Sequence, residues 1–297
     1  MVSSNQYQGL TLLAVLAHPD DETFGVGGTL ALYAHRGVSV HLICATRGEV
    51  GDVEPHFLEN YQSIGDLRED ELRCAARTLG LEGVHFLGYR DSGMKGSPDN
   101  EHPRALAAAP IEEVAAKITE FIRELRPQVV LTFDPIGGYR HPDHLAIHEA
   151  TVRAFEAAAD GGAYPGEYPP FQPEKLYFHT FPRKWLTWVA RLMPLFGSDP
   201  HHFGKNGDID LLDLVGEDFP VHTRINYGEV VRVKEQATAC HASQGSMGTT
   251  NWLVSLAFRL GAGKDLFTRA YPQPNGRLNE RDLFAGVKPP AALPQTR

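Results

Sequence analysis

Three features of the sequence predict an α/β fold built on a mostly parallel sheet. Apolar runs of strand length alternate with segments of helical period from residue 10 to residue 181. Polar loops follow these runs, as expected where parallel strands end at one edge of a sheet. Gly or Pro closes or opens most of the helical segments.

Residues 10–17 are the first strand, apolar but for Thr11, as a strand covered on both faces should be. Residues 22–36 read as a helix that packs Phe24, Leu30 and Tyr33 and stops at Gly37. The second strand, 38–44, alternates Val38, Val40, Leu42 and Cys44 with Ser39, His41 and Ile43, and the polar loop 45–54 follows it. A helix over 59–79 repeats Leu67, Leu72, Ala75, Ala76 and Leu79 at helical spacing, and Gly80 ends it. A short third strand, 84–87, leads into the loop 88–94 (GYRDSGM), and 95–110 reads as an exposed loop. Ile111–Leu125 is a helix closed by Arg126-Pro127, and Val129–Phe133 is the fourth strand, with its loop at 134–140. Pro is favoured at the first helical position, so Pro142 opens a helix to about 156 and leaves His141 near the N-cap. Residues 160–173 are a Gly/Pro/Tyr-rich loop and 175–181 a fifth strand.

Beyond 182 the pattern weakens. Residues 183–197 are apolar, aromatic and partly basic, 198–228 are mixed, 229–242 and 250–260 read as helices, and 286–297 as a loose tail. No linker divides the chain. One domain is expected, with a core at about 10–182 and a C-terminal elaboration at about 183–297.

A net charge of −9 without a basic block argues against a nucleic-acid partner, which needs a positive face to neutralise phosphate. No apolar run approaches the ~18 residues of a membrane span. Cys44, Cys74 and Cys240 are odd in number, far apart and without a CxxC, which disfavours a disulfide framework or a cysteine-rich metal site and suits a reducing cytoplasm. Cys44 reads as a small buried apolar residue.

The chemistry concentrates at two strand ends. The stretch 17–22 (AHPDDE) puts a histidine and adjacent carboxylates after strand one, and 141–144 (HPDH) opens the helix after strand four. Catalytic zinc takes three protein ligands and leaves one position open. The supply here is His18, Asp21 and one or both of His141 and His144, whose spacing of three lets both address one point. Pro19 keeps His18 extended. Asp20 remains free to act as a general base.

Other features have blander readings. Gly25, Gly27 and Gly28 do not complete a nucleotide loop and are read as allowing close helix packing. His201-His202 reads as a solvated loop. Trp185, Trp188, Leu192 and Phe196, with Arg183, Lys184 and Arg191, read as a packed lid over the site ahead of an oligomer contact or a membrane-surface face. Arg68 on its helix reads as a surface ion-pair partner. His241, seven after Lys234, is as consistent with a packing histidine as with a pocket edge.

The motifs 17–22 with Gly27-Gly28, and 132–144 (TFDPIGGYRHPDH), resemble the LmbE-like, or PIG-L, family of zinc-dependent N-acetylglucosamine deacetylases. Thr46-Arg47-Gly48-Glu49, Arg68 with Glu71-Leu72, the GYRDSGM loop, and Lys234 with His241-Ala242-Ser243-Gln244 extend the likeness over roughly 10–180 and 222–245. The GYRDSGM loop is most similar to the branch acting on mycothiol and its precursor. The resemblance implies a Rossmann-like sheet with helices on both faces and one zinc ion per chain, held by His18, Asp21 and His144. It implies Asp20 as general base, His141 as general acid or transition-state stabiliser, and Tyr139 at the amide carbonyl or oxyanion. Arg68, Asp91, Glu49 and His241 would contact substrate. The implied reaction is deacetylation of an N-acetylglucosaminyl small molecule by zinc-activated water; the N-terminus without a basic region and the missing membrane span read as cytoplasmic, and a homo-oligomer is compatible with both. An amidase acting on a larger thiol-conjugate amide shares the same residues. A non-catalytic sugar-binding protein would not need them all, and a two-metal phosphoesterase would need more ligands. Residues 183–220 are not placed on any motif of the mycothiol enzymes and are expected to shape the substrate pocket, which leaves the substrate open.

Overall fold

The structure, a computed structural model, describes residues 6–181, 190–191, 193–196, 199–201, 212, 218–245 and 263–287. Expectations for most of 183–217, the aromatic lid and His202 among them, and those for a helix at 250–260 and a tail from 288, lie outside these residues.

Seven strands form one mixed sheet: β1 (Thr11–Leu16), β2 (Ser39–Thr46), β3 (Gly83–Tyr89), β4 (Val129–Phe133), β5 (Lys175–Thr180), β6 (Thr223–Asn226) and β7 (Lys264–Tyr271). Their order is β3-β2-β1-β4-β5-β7-β6. The first five are mutually parallel, and β7 runs antiparallel to both β5 and β6. Chain order reverses between β1 and β4, the neighbours at the centre. With right-handed crossovers, the reversal sends the helices after β1 and β2 to one face and those after β3 and β4 to the other. The first set is α1 (Asp21–Phe24), α2 (Gly27–His35) and α3 (Ile64–Leu79), and the second is α4 (Ile111–Leu125) and α5 (Pro142–Ala157). Cover on both faces explains the unbroken apolar runs: Leu12–Leu16 are at most 2% exposed and Val129–Leu131 are wholly buried.

Two helix boundaries depart from the sequence reading. The expected 22–36 helix breaks after Phe24, because three glycines in four positions weaken the turn where α2 restarts. Those glycines do allow close packing, since a Cβ on Gly28 would stand 2.1 Å from the Tyr227 ring. The expected 59–79 helix starts only at Ile64, where Ser63 caps it by accepting the Asp66 N–H at 3.1 Å.

The C-terminal part joins the sheet. Asp265 on β7 accepts the Thr29 N–H and hydroxyl at the start of α2, both at 2.7 Å. Glu280 is bonded by Lys175, Arg269, Tyr177 and Thr223 at 2.8–3.1 Å. Helix α6 (Val231–Cys240) packs against α2 and α3.

That packing corrects the cysteine reading. Cys74 on α3 and Cys240 at the end of α6 have Cα atoms 5.8 Å apart and form a disulfide, 166 residues apart in sequence. A partner so distant leaves no spacing motif. Cys44 is free and buried, as expected. Cross-links of this kind stabilise by about 2–4 kcal/mol, so Cys74→Ser in non-reducing buffer is expected to lower Tm by roughly 5–10 °C. Reductant should bring the wild type to the same Tm, and a wild-type Tm indifferent to reductant would refute a stabilising role. No helix of the described residues is long and apolar enough to cross a membrane.

Candidate metal centre and active site

The central reversal brings the ends of β1 and β4 side by side, which is where a parallel sheet opens a crevice. After β1 the chain turns sharply. Asp21 reaches back, its Oδ2 accepting the N–H of His18 at 2.8 Å and of Ala17 at 3.3 Å. Asp20, between them, takes φ +121°, a conformation that costs a non-glycine residue about 1–3 kcal/mol. Its main chain is held at both ends. Its N–H donates to Glu22 Oε2 at 2.9 Å, and its carbonyl accepts Thr23 and Phe24 N–H at 3.0 and 2.9 Å.

After β4, Asp134 gathers the loop by accepting the N–H of Ile136 and Gly138 through Oδ1. Gly137 has φ +60°, and a Cβ there would stand 2.7 Å from that of His144, so only glycine fits this approach to α5. The approach delivers the Gly137 carbonyl to His144 Nδ1 at 3.0 Å. Gly137→Ala is expected to weaken metal retention by about 10–100-fold, the range for lost supporting contacts. A metal titration checks it, and wild-type affinity would refute it.

These contacts fix which ring nitrogens face inward. His144 Nδ1 donates to a carbonyl, so its Nε2 presents a lone pair to the site. His18 Nε2 lies 3.1 Å from Asp143 Oδ2 and 3.5 Å from Asp91 Oδ1, so its Nδ1 is the inward atom. His18 Nδ1 and His144 Nε2 stand 3.2 Å apart, Asp21 Oδ1 lies 3.4 Å from His144 Nε2, and Asp21 Oδ2 lies 3.6 Å from His18 Nδ1. Donors about 2.0–2.1 Å from one tetrahedral ion stand roughly 3.3–3.5 Å apart, which the two ring nitrogens and the Asp21 carboxylate approach, with Asp21 facing the two rings through different oxygens.

Among the described residues two overlapping groups have donor atoms all within 4.8 Å of one another, His18, His141 and His144, and His18, Asp91, His141 and Asp143, and Asp21 belongs to neither. We favour the Asp21 triangle on tautomer grounds. His141 caps α5 with Nδ1, which accepts the Asp143 N–H at 3.2 Å. That places its proton on Nε2, a donor rather than a ligand atom. Asp143 is tied to Ser92, through the Ser92 N–H at 2.9 Å and the hydroxyl, and it faces the outer nitrogen of His18. Such a carboxylate orients a metal-binding imidazole.

The charges agree with a cation site. Burial would lower the His18 pKa, but Asp91, Asp143 and Asp21 around it hold it well above the ordinary value. Burial would raise Asp21, but His144 and His18 hold it well down, as an ionised carboxylate. Burial pushes His144 down, and pushes His141 down with help from His18 and His144. Asp20 is pushed up to about 7, mainly by burial, against the pull of Arg68. Desolvation raises the Tyr139 hydroxyl well above its usual range, so it stays a donor. The Tyr139 ring lies 4.9 Å from that of His144 and 6.0 Å from that of His141.

The remaining expected residues ring the tip. Arg68 is not on the surface: it is buried and donates to Pro19 O at 2.6 Å, Gly48 O at 3.1 Å and Asp20 Oδ2 at 3.1 Å. Its position four before Leu72, on the apolar face of α3, was a legible signal of burial. Asp91 accepts the Gly93 N–H and faces His18, and half-buried Glu49 accepts the Asp91 N–H at 3.1 Å. His241 is buried, with Nε2 2.6 Å from Glu22 Oε1. Sequence reasoning gave no role to Asp143, Ser92, Glu22 or Glu71. Asp143 lay in plain view between two histidines, whereas Ser92 and Glu71 acquire partners only through tertiary contact.

Comparison with known proteins places this arrangement. The model of the PIG-L family, described as GlcNAc-PI de-N-acetylase, matches residues 13–155, a span containing both motifs. A relative from Thermobifida fusca (strain YX), named 1D-myo-inositol 2-acetamido-2-deoxy-alpha-D-glucopyranoside deacetylase, is 40% identical over 92% of this chain and 98% of its own. A protein of the same name from Thermomonospora curvata is 37% identical over 93% and 96%. Among solved structures, the conserved protein TT1542 from Thermus thermophilus superposes with a TM-score of 0.59 at 26% identity, covering 89% of this chain and 96% of that one. With two strand-end motifs converging on one donor cluster, and with relatives similar over nearly their whole length, this chain belongs to the PIG-L family of deacetylases.

Proposed function

We propose that the protein is a zinc-dependent hydrolase that removes the acetyl group from an N-acetylglucosaminyl small molecule, releasing acetate and a free amine. The observation that carries this is the triangle of His18 Nδ1, Asp21 and His144 Nε2, at 3.2–3.6 Å, with the Asp20 carboxylate beside it and bound to Arg68 instead. His18, Asp21 and His144 would hold one zinc ion. Bound there, zinc supplies Lewis acidity and lowers the pKa of water from about 15.7 to about 7.

The chain's own groups divide the remaining work. Asp20 accepts the proton of the attacking water. His141 presents Nε2–H, and Tyr139 its hydroxyl, to the oxygen that gains charge as the carbonyl carbon becomes tetrahedral. The N-cap bond to His141 Nδ1 favours this stabilising role over that of general acid. Asp20 then carries the proton to the leaving nitrogen. Arg68 holds Asp20 in place, and Glu49 and Asp91 line the wall on which sugar hydroxyls would rest. The names of the relatives support an inositol glycoside as substrate. A small-molecule partner also suits the net charge of −9.

The test is acetate release by the zinc-loaded protein from a panel of inositol and malate N-acetylglucosaminides, chitooligosaccharides and a larger thiol-conjugate amide. Release from the inositol glycoside, lost on chelation and restored by zinc, is expected. Cleavage of the conjugate alone would replace the reading with the amidase, and no release from any member would refute it.

A further inference from the structure

Asp20 is gripped at its carboxylate, its N–H and its carbonyl, and only the first grip acts on its side chain. Arg68 binds its carboxylate, while its backbone N–H, the group that a positive φ turns away from ordinary partners, is taken by Glu22 Oε2. The other oxygen of Glu22 meets His241 Nε2 at 2.6 Å, and both side chains are wholly buried. His241 comes from a segment 219 residues away in sequence. That segment is pinned in turn, since the N–H and hydroxyl of Ser243 both bond Glu71 on α3 at 2.7 Å, and Cys240 is bonded to Cys74 on the same helix. Helix α3 therefore carries Arg68 and also anchors the segment that supplies His241.

His241 is buried, and its Nδ1 has no hydrogen-bond partner among the described residues. A histidine kept for packing alone would leave two polar atoms unmet. This one satisfies Nε2 on a single carboxylate that reaches Asp20. Buried behind Glu22, it is not offered to a substrate.

We propose that Glu22 and His241 are a positioning pair that holds the backbone of Asp20 in its positive-φ conformation, aiming the carboxylate of the base at the reaction centre. The pair rests on the reading of Asp20 as the general base. A small misplacement of a reacting group lowers turnover by about 10²-fold, so Glu22→Ala and His241→Ala should each lose about that much in kcat, with KM within about twofold of wild type. Zinc content should stay at the wild-type level. The double variant should be no worse than either single one, because the two side chains act as one unit. Glu22→Gln, which keeps an oxygen for the Asp20 N–H, and His241→Gln, whose amide nitrogen can reach Glu22, should recover most of the loss.

A readout independent of turnover is the crystal structure of Glu22→Ala, in which Asp20 should leave the positive-φ region. Three results would overturn the pair: a raised KM with unchanged kcat, additive losses in the double variant, or an Asp20 φ near its wild-type value in Glu22→Ala. Should Glu22→Ala not fold, the His241 variants and their crystal structures decide on the same criteria. A wild type that releases no acetate would refute the deacetylase reading alone, and the Asp20 backbone would still test the pair.

Discussion

Asp20→Asn should lower turnover by about 10³-fold, within the range for removing a general base, while zinc content and KM stay near wild type. The amide has the size of the carboxylate, and its oxygen can still accept from Arg68, which now stands 3.1 Å from Asp20 Oδ2. The backbone at φ +121° is held by main-chain contacts and by Glu22, neither of which the substitution touches. What disappears is the ability to take a proton. Steady-state acetate release together with elemental analysis separates the outcomes. Full activity would remove Asp20 from the chemistry, and loss of zinc would make it a ligand.

His144→Ala should abolish activity and lower zinc affinity by more than about 10²-fold, beyond the range for altering a supporting contact. It removes one of three inward donors, the one whose orientation is set by the Gly137 carbonyl on one nitrogen and by the Phe133 ring stacked at 3.9 Å. His141→Ala is the control. Its Nδ1 is committed to capping α5, so that variant should lose turnover yet keep zinc. Wild-type zinc content in His144→Ala would shift the ligand set to His18, Asp91, His141 and Asp143, the group that lacks it, and zinc loss in His141→Ala would bring His141 into the ligand set.

The parallel core was legible because burial on both faces leaves a one-dimensional signature. Ile111–Leu125 and Val129–Phe133 fall where the sequence put them, each bounded by a proline signal. The edge was harder to read. Strands β6 and β7 are antiparallel, short or mixed in polarity, and β7 finds its place between β5 and β6 only through long-range pairing. The same divide runs through the candidate site. His18, Asp20, Asp21, His141 and His144 sit in compact motifs and were read directly. Arg68, read from its helix as a surface ion-pair partner, is buried on carbonyl partners that only the tertiary fold supplies, although its spacing from Leu72 puts it on the apolar face. Glu22 and His241 become a pair only when α6 docks.

The reversal of strand order has a consequence for assembly. The donors of the proposed zinc site lie 126 positions apart, on loops brought together only when β4 aligns beside β1. No local stretch can hold the ion by itself, so zinc cannot act as a nucleus for the chain in the way it does for a zinc finger. Apolar burial of the central strands must come first, and the cation enters a finished crevice. The metal-free polypeptide is therefore expected to stay folded and to take zinc up again, which circular dichroism before and after chelation, followed by a zinc titration, checks.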